Sequence, residues 1–75
     1  MIYAEEIDGA ILATLCEEPG PWPMEELRRE HGGGITVDDA VARLARRGLV
    51  LRLDGGLVIA SAAGRYAVAV GEAGP

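Results

Sequence analysis

Apolar positions in the first part of the chain recur at helical spacing. Ile7, Ala10, Ile11 and Leu15 share one side, and Leu12 and Cys16 widen the stripe, which predicts a helix over 4–18. Glu5, Glu6 and Asp8 fall in its first turn, where the helix dipole favours negative charge. Gly9 costs about 1 kcal/mol against alanine inside a helix, so a close neighbour is expected there. Ile2 and Tyr3 stand just before, placed to staple the helix start or to cross to another element. Pro19-Gly20-Pro21-Trp22-Pro23 breaks any helix, because proline lacks a backbone donor and restricts its predecessor. The Trp22 ring is expected to cover one end of the core from this loop.

A short second helix is expected over 24–31, with Leu27 as its buried anchor and Gly32-Gly33-Gly34 as its exit. Glu25 and Glu26 suit its start, and Arg28 and Arg29 its end. The third helix opens with Thr36 as cap and Asp39 at capping-box spacing. Val37, Val41 and Leu44 form its buried line, with Ala40 and Ala45 beside it. Asp38, Asp39, Ala42, Arg43, Arg46 and Arg47 then point to solvent. Gly48 is the expected left-handed stop.

After Gly48 the pattern reads as a hairpin, Leu49 to Leu53 and Leu57 to Ser61, around Asp54-Gly55-Gly56. If Asp54 and Gly55 are the two loop residues, Leu49, Leu51 and Leu53 share a face with Val58 and Ala60. Val50, Arg52, Leu57 and Ile59 then hold the other, and so apolar a second face implies that both are covered. Ser61 caps a last helix over 62–70, although the alternation of Tyr66, Val68 and Val70 also fits a strand. Residues 71–75 are expected as a flexible tail to a single domain spanning 1–75.

Composition narrows the function more than the fold. The 75 residues are 49% hydrophobic without a phenylalanine, so the core must be aliphatic. The net charge of −5 opposes nonspecific attraction to nucleic acid unless a local arginine stripe overrides it. Cys16 is the one cysteine and His31 the one histidine, which excludes an internal disulfide and gives no metal or cofactor set. The two would form a dyad by residue type, but Cys16 lies on the buried stripe, where a thiol is inert. The Gly32–Gly34 run lacks the lysine and hydroxyl of a phosphate loop, and no enzyme activity is expected. No apolar run is long enough for a membrane span and no signal-peptide pattern opens the chain, so a cytoplasmic protein is expected.

Three patches carry a resemblance. Ile11-Leu12-Ala13-Thr14-Leu15 with its Pro-Gly exit, Arg43-Leu44-Ala45-Arg46-Arg47-Gly48-Leu49-Val50, and Ser61-Ala62-Ala63-Gly64-Arg65 after the hairpin stand in this order along the chain. Together they resemble bacterial winged helix-turn-helix regulators of the broad MarR, ArsR and PadR kind. The resemblance implies an α+β fold: a three-helix core, a two-stranded hairpin wing and a short C-terminal helix. It also implies a DNA-binding transcriptional regulator, acting as a homodimer on double-stranded DNA through the start of the third helix. Thr36, Asp38, Asp39, Ala42 and Arg43 occupy that start. Serine, threonine, arginine or lysine is usual there, and Asp38 and Asp39 depart from this. A carboxylate repels phosphate, and among bases only the cytosine amino group welcomes it. The DNA-binding candidates are Thr36, Arg43, Arg52, Arg28 and Arg29, with solvated or carboxylate-paired arginines as the plain alternative. Last-turn helix charge already accounts for Arg46 and Arg47. The competing function is a winged-helix protein-interaction module whose acidic face meets a basic protein partner.

Overall fold

The computed structural model describes residues 4–33 and 35–73. Ile2, Tyr3, Gly34 and residues 74–75 lie outside the described residues, and with them the expected staple or crossover. In chain order the elements are α1 (Ala4–Glu17), β1 (Trp22–Pro23), α2 (Met24–Glu30), α3 (Ile35–Arg46), β2 (Val50–Leu53), β3 (Leu57–Ala60) and α4 (Ala62–Ala73). The strand reading of 62–70 is overturned, and α4 runs three residues past Val70, into the segment expected as tail.

The core is aliphatic, as the composition requires. Ile11, Leu12 and Leu15 of α1 meet Leu27 of α2, Val37, Ala40, Val41 and Leu44 of α3, and Val50, Val58 and Ala60 of the sheet. Cys16 and Trp22 pack against this cluster, half-buried. The Trp22 indole donates from Nε1 to the Glu18 carbonyl at 2.9 Å, which pins the exit of α1.

The segment around Trp22 is more than a loop. Trp22 pairs antiparallel with Val58, and Pro23 with Leu57, giving a three-stranded sheet in the order β1-β3-β2. Pro23 is tolerated because β1 is an edge and a proline there withholds no ladder bond from the centre. The backbone amide of Met24 then donates to the Gly56 carbonyl at 3.0 Å, tying the start of α2 to the hairpin tip.

The hairpin register differs from the expected one. Leu53 pairs with Leu57, and Arg52 with Val58, so the loop holds three residues, Asp54, Gly55 and Gly56. Gly56 joins Gly55 at positive φ, 76° and 82°, which a side-chain-bearing residue rarely adopts. The extra loop residue moves β2 by one residue against β3, so Val50 and Arg52, rather than Leu51 and Leu53, share the face of Val58 and Ala60. Val50, Val58 and Ala60 therefore point to the core. Leu57 and Ile59 are half-buried on the other face, while Leu51 and Leu53 are exposed, so that face is not covered as expected.

Gly48 ends α3 as expected. It lies at φ 76°, its amide donates to the Ala45 carbonyl, and that of Leu49 reaches back to Leu44. Ser61 joins three elements. Its hydroxyl accepts from the Gly64 amide at 3.0 Å as the α4 cap and donates to the Gly48 carbonyl at 2.6 Å, and its amide donates to the Leu49 carbonyl at 3.0 Å. The close helix approach expected at Gly9 is not there, since Gly9 faces open space. It occurs at Gly64, where a β-carbon would overlap the Leu49 carbonyl oxygen.

Candidate nucleic-acid interface

Helix α3 turns Val37, Ala40, Val41 and Leu44 inward. Its opposite ridge, at spacings of four, three and four, is Ile35, Asp39, Ala42 and Arg46. Ile35, Asp39 and Arg46 are exposed and Ala42 is half-buried. Ile35 is 74% exposed, an unusual position for isoleucine with a core so near. Because α3 starts at Ile35, Thr36 is already wound into the first turn, exposed, and is not the cap expected of it.

Asp38 does not stand bare toward solvent. Arg28 of α2 grips it with two bonds, Nε to Oδ1 at 2.8 Å and Nη2 to Oδ2 at 3.1 Å. Those bonds hold the Asp38 carboxyl below the usual carboxylate range, against partial desolvation, with the charges of Arg28 and Arg52 adding to the effect. The same bonds push Arg28 upward. A groove of about 260 Å³ lies here, with Met24, Val41 and Leu57 as its apolar lining and Arg28, Asp38 and Arg52 as its polar one. Arg52 is exposed on β2, and its other neighbours across a second cleft are Ala42, Ala45 and Arg46 of α3.

Arg43 leaves the solvent-facing set. Its guanidinium reaches α1 and makes two bonds to Asp8, Nη2 to Oδ1 at 2.9 Å and Nε to Oδ2 at 3.2 Å. The Asp8 side chain is only 7% exposed, against 32% for Arg43. A carboxylate buried that far needs a cation, and Arg43 supplies one across the α1–α3 contact. Asp8 falls on the apolar stripe of α1, since Ile11, Leu12 and Leu15 follow it at three, four and seven residues. A charge on that stripe was the available sign that a partner must exist.

The five candidates thus divide. Arg28 and Arg52 come together around Asp38, Thr36 lies on the exposed start of α3, and Arg43 is drawn to α1. Arg29 lies exposed on α2 beside Glu26, Glu30 and Trp22, away from the α3 ridge. Arg46, read from the sequence as a helix-end charge, is on the ridge itself. Among the described residues, no ion pair holds Arg46 or Arg52. His31 Nε2 lies 3.0 Å from the Thr14 hydroxyl. Among the described residues, no three histidines, cysteines or carboxylates gather as a metal site, and no helix is long and apolar enough to cross a membrane.

No family model matches this chain, and no curated protein does. Among solved structures it is similar to a probable transcriptional regulator from Pseudomonas aeruginosa, with 36% sequence identity and a TM-score of 0.78. The likeness covers 89% of this chain and 55% of that one, so the chain spans about half the length of that protein. Among the described residues, four helices and a three-stranded antiparallel sheet, arranged as in that neighbour, make this α+β fold a winged helix-turn-helix and make the chain consistent with a winged-helix regulator.

Proposed function

We propose that this chain is a DNA-binding transcriptional regulator of the broad MarR, ArsR and PadR kind, a cytoplasmic bacterial protein without enzyme activity. The observation that carries this is the pairing of Asp38 with Arg28, next to Arg52. It neutralises one of the two carboxylates at the start of α3, which were the strongest local argument against a polyanionic partner. The ridge of α3 enters the major groove, Thr36 meets the DNA backbone, and Arg46 and Arg52 meet phosphates from two sides. Arg28 acts through Asp38, and Arg43 acts through Asp8 by holding α3 in place. Arg29 stands at the margin of this surface.

The acting unit is a homodimer. The solvent side of α4 presents Ala62, Ala63, Tyr66, Ala67, Ala69 and Val70, exposed, with Arg65 as the charge among them. A body of net charge −5 repels its own copy least where carboxylates are few, and residues 62–70 carry none, which favours this stretch for self-contact. The molecule is 34 Å along its longest dimension, the same scale as one turn of B-DNA at about 34 Å.

The test is fluorescence anisotropy of a labelled random duplex at about 50 mM and about 200 mM salt, the range over which phosphate contacts lose most of their strength. Binding is expected at the lower salt and steep weakening at the higher. Arg52→Gln should weaken binding to all sequences and lower the salt slope by about 1. Absence of binding at the lower salt refutes the reading.

A further inference from the structure

Resting on this DNA-binding reading, we infer that Asp39 is a specificity-determining residue that selects cytosine in the major groove. Two neighbouring carboxylates open α3, and the fold treats them differently. Asp38 has both oxygens engaged by Arg28 and is turned toward α2. Asp39 is one helical step on, exposed, and on the outward ridge with Ile35, Ala42 and Arg46. Among the described residues it has neither an ion-pair nor a side-chain hydrogen-bond partner.

A carboxylate that enters the groove of a polyanion must find a donor there or oppose binding. Base edges offer two amino groups in the major groove, on cytosine and on adenine. Adenine sets its N7 acceptor beside the amino group and repels a carboxylate, whereas the cytosine amino group has no acceptor next to it on the same base edge. Cytosine is therefore the base that Asp39 accepts. The rest of the ridge has compatible chemistry. Ala42 and Ile35 flank Asp39 with the apolar surface that suits a thymine methyl group. Arg46 stands seven residues further along. That is about 10.5 Å of helix at roughly 1.5 Å per residue, close to three base-pair steps at roughly 3.4 Å each.

The experiment is selection of binding sequences from a randomised duplex library with the whole chain, the wild type beside Asp39→Asn and Asp39→Ala, followed by affinity measurement on single-base variants of the selected site. The wild type should enrich cytosine at one position per half-site, and its replacement by thymine should weaken binding about tenfold to a hundredfold. Asp39→Asn should move the preference at that position to adenine, because an amide matches the adenine N6–N7 pair. Asp39→Ala should lose the preference there and bind random duplex more tightly than the wild type. Circular dichroism should show all three equally folded, since Asp39 is exposed. If all three bind DNA with one unchanged base preference, the inference is overturned while the DNA-binding reading stands. If none binds random or selected duplex, or a basic protein binds the α3 ridge in its place, the reading beneath it fails.

Discussion

One substitution, made at two glycines, should act with opposite sign. Gly64 is buried at the start of α4, and an ideal β-carbon there would overlap the Leu49 carbonyl oxygen and come within 3.1 Å of Leu12 Cδ1. The obstructing atom is backbone, and it already accepts from the Ser61 amide at 3.0 Å, so it cannot turn aside without breaking the joint between hairpin and α4. Overpacking of this kind costs about 1–3 kcal/mol. Loss of the Ser61 bond adds about 1 kcal/mol, and the helix propensity of alanine returns at most about 1 kcal/mol. The net for Gly64→Ala is a destabilisation of about 2 kcal/mol, which in a domain this small lowers Tm by roughly 8–16 °C. Gly9 is exposed inside α1 with nothing within 4 Å of its β-carbon position. Gly9→Ala therefore keeps only the propensity term and should raise Tm by roughly 2–8 °C. Thermal and urea unfolding by far-UV circular dichroism, with equal urea m-values as the check on comparability, decides it. A Gly64→Ala protein as stable as the wild type would show that α4 does not seat on the Leu49 backbone as described.

Three further outcomes are expected. Arg43→Ala leaves the Asp8 carboxylate without its main cation. Because the arginine end is partly in water, the cost should be about 1–3 kcal/mol in urea unfolding, below that of a fully buried pair; unchanged stability would remove Arg43 from its clamping role. Arg28→Ala should raise the Asp38 carboxyl toward the ordinary range in a side-chain carbon NMR titration. The folded carboxyl lies below its unfolded value of about 3.9, so the contribution of the pair is full above that pH and fades as pH falls through the folded value. The stability gap between wild type and Arg28→Ala should accordingly close in acid, and a gap independent of pH would contradict the pairing. Tyr66→Glu, at a residue 73% exposed, should convert a dimeric wild type to a monomer in sedimentation velocity without loss of helix content; a monomeric wild type would refute the α4 contact.

What could be read from the chain was what local spacing controls. The four helices, the hairpin, the Gly48 stop and the Ser61 cap all follow from periodicity and terminal chemistry within a few residues. The failures are non-local or turn on a single residue. A two-residue strand has no period to detect, and Trp22 pairs with Val58 across most of the domain. The register hinged on whether Gly56 belonged to the loop. Gly9 and Gly64 are alike in type and helical setting, and only the position of Leu49 separates them. At the candidate interface, the ion pair of Arg28 with Asp38 left no trace in spacing, whereas Asp8 announced its partner by sitting on an apolar stripe. Fixing the α3 rotation needed the inward line alone, so the ridge through Asp39 and Arg46 was implicit in Val37, Val41 and Leu44.

Strand order leaves β2 as an outer edge of the sheet, with the exposed Leu51 and Leu53 on either side of Arg52. An uncovered edge with sticky side chains invites strands from other molecules to zip onto it, and a charge in its middle is a common guard against that. Arg52 is placed to keep neighbouring chains apart, in addition to the phosphate contact proposed for it. A leucine in its place would turn the wing into a seed for insoluble deposits, so selection for dispersal alone would hold a cation at this position.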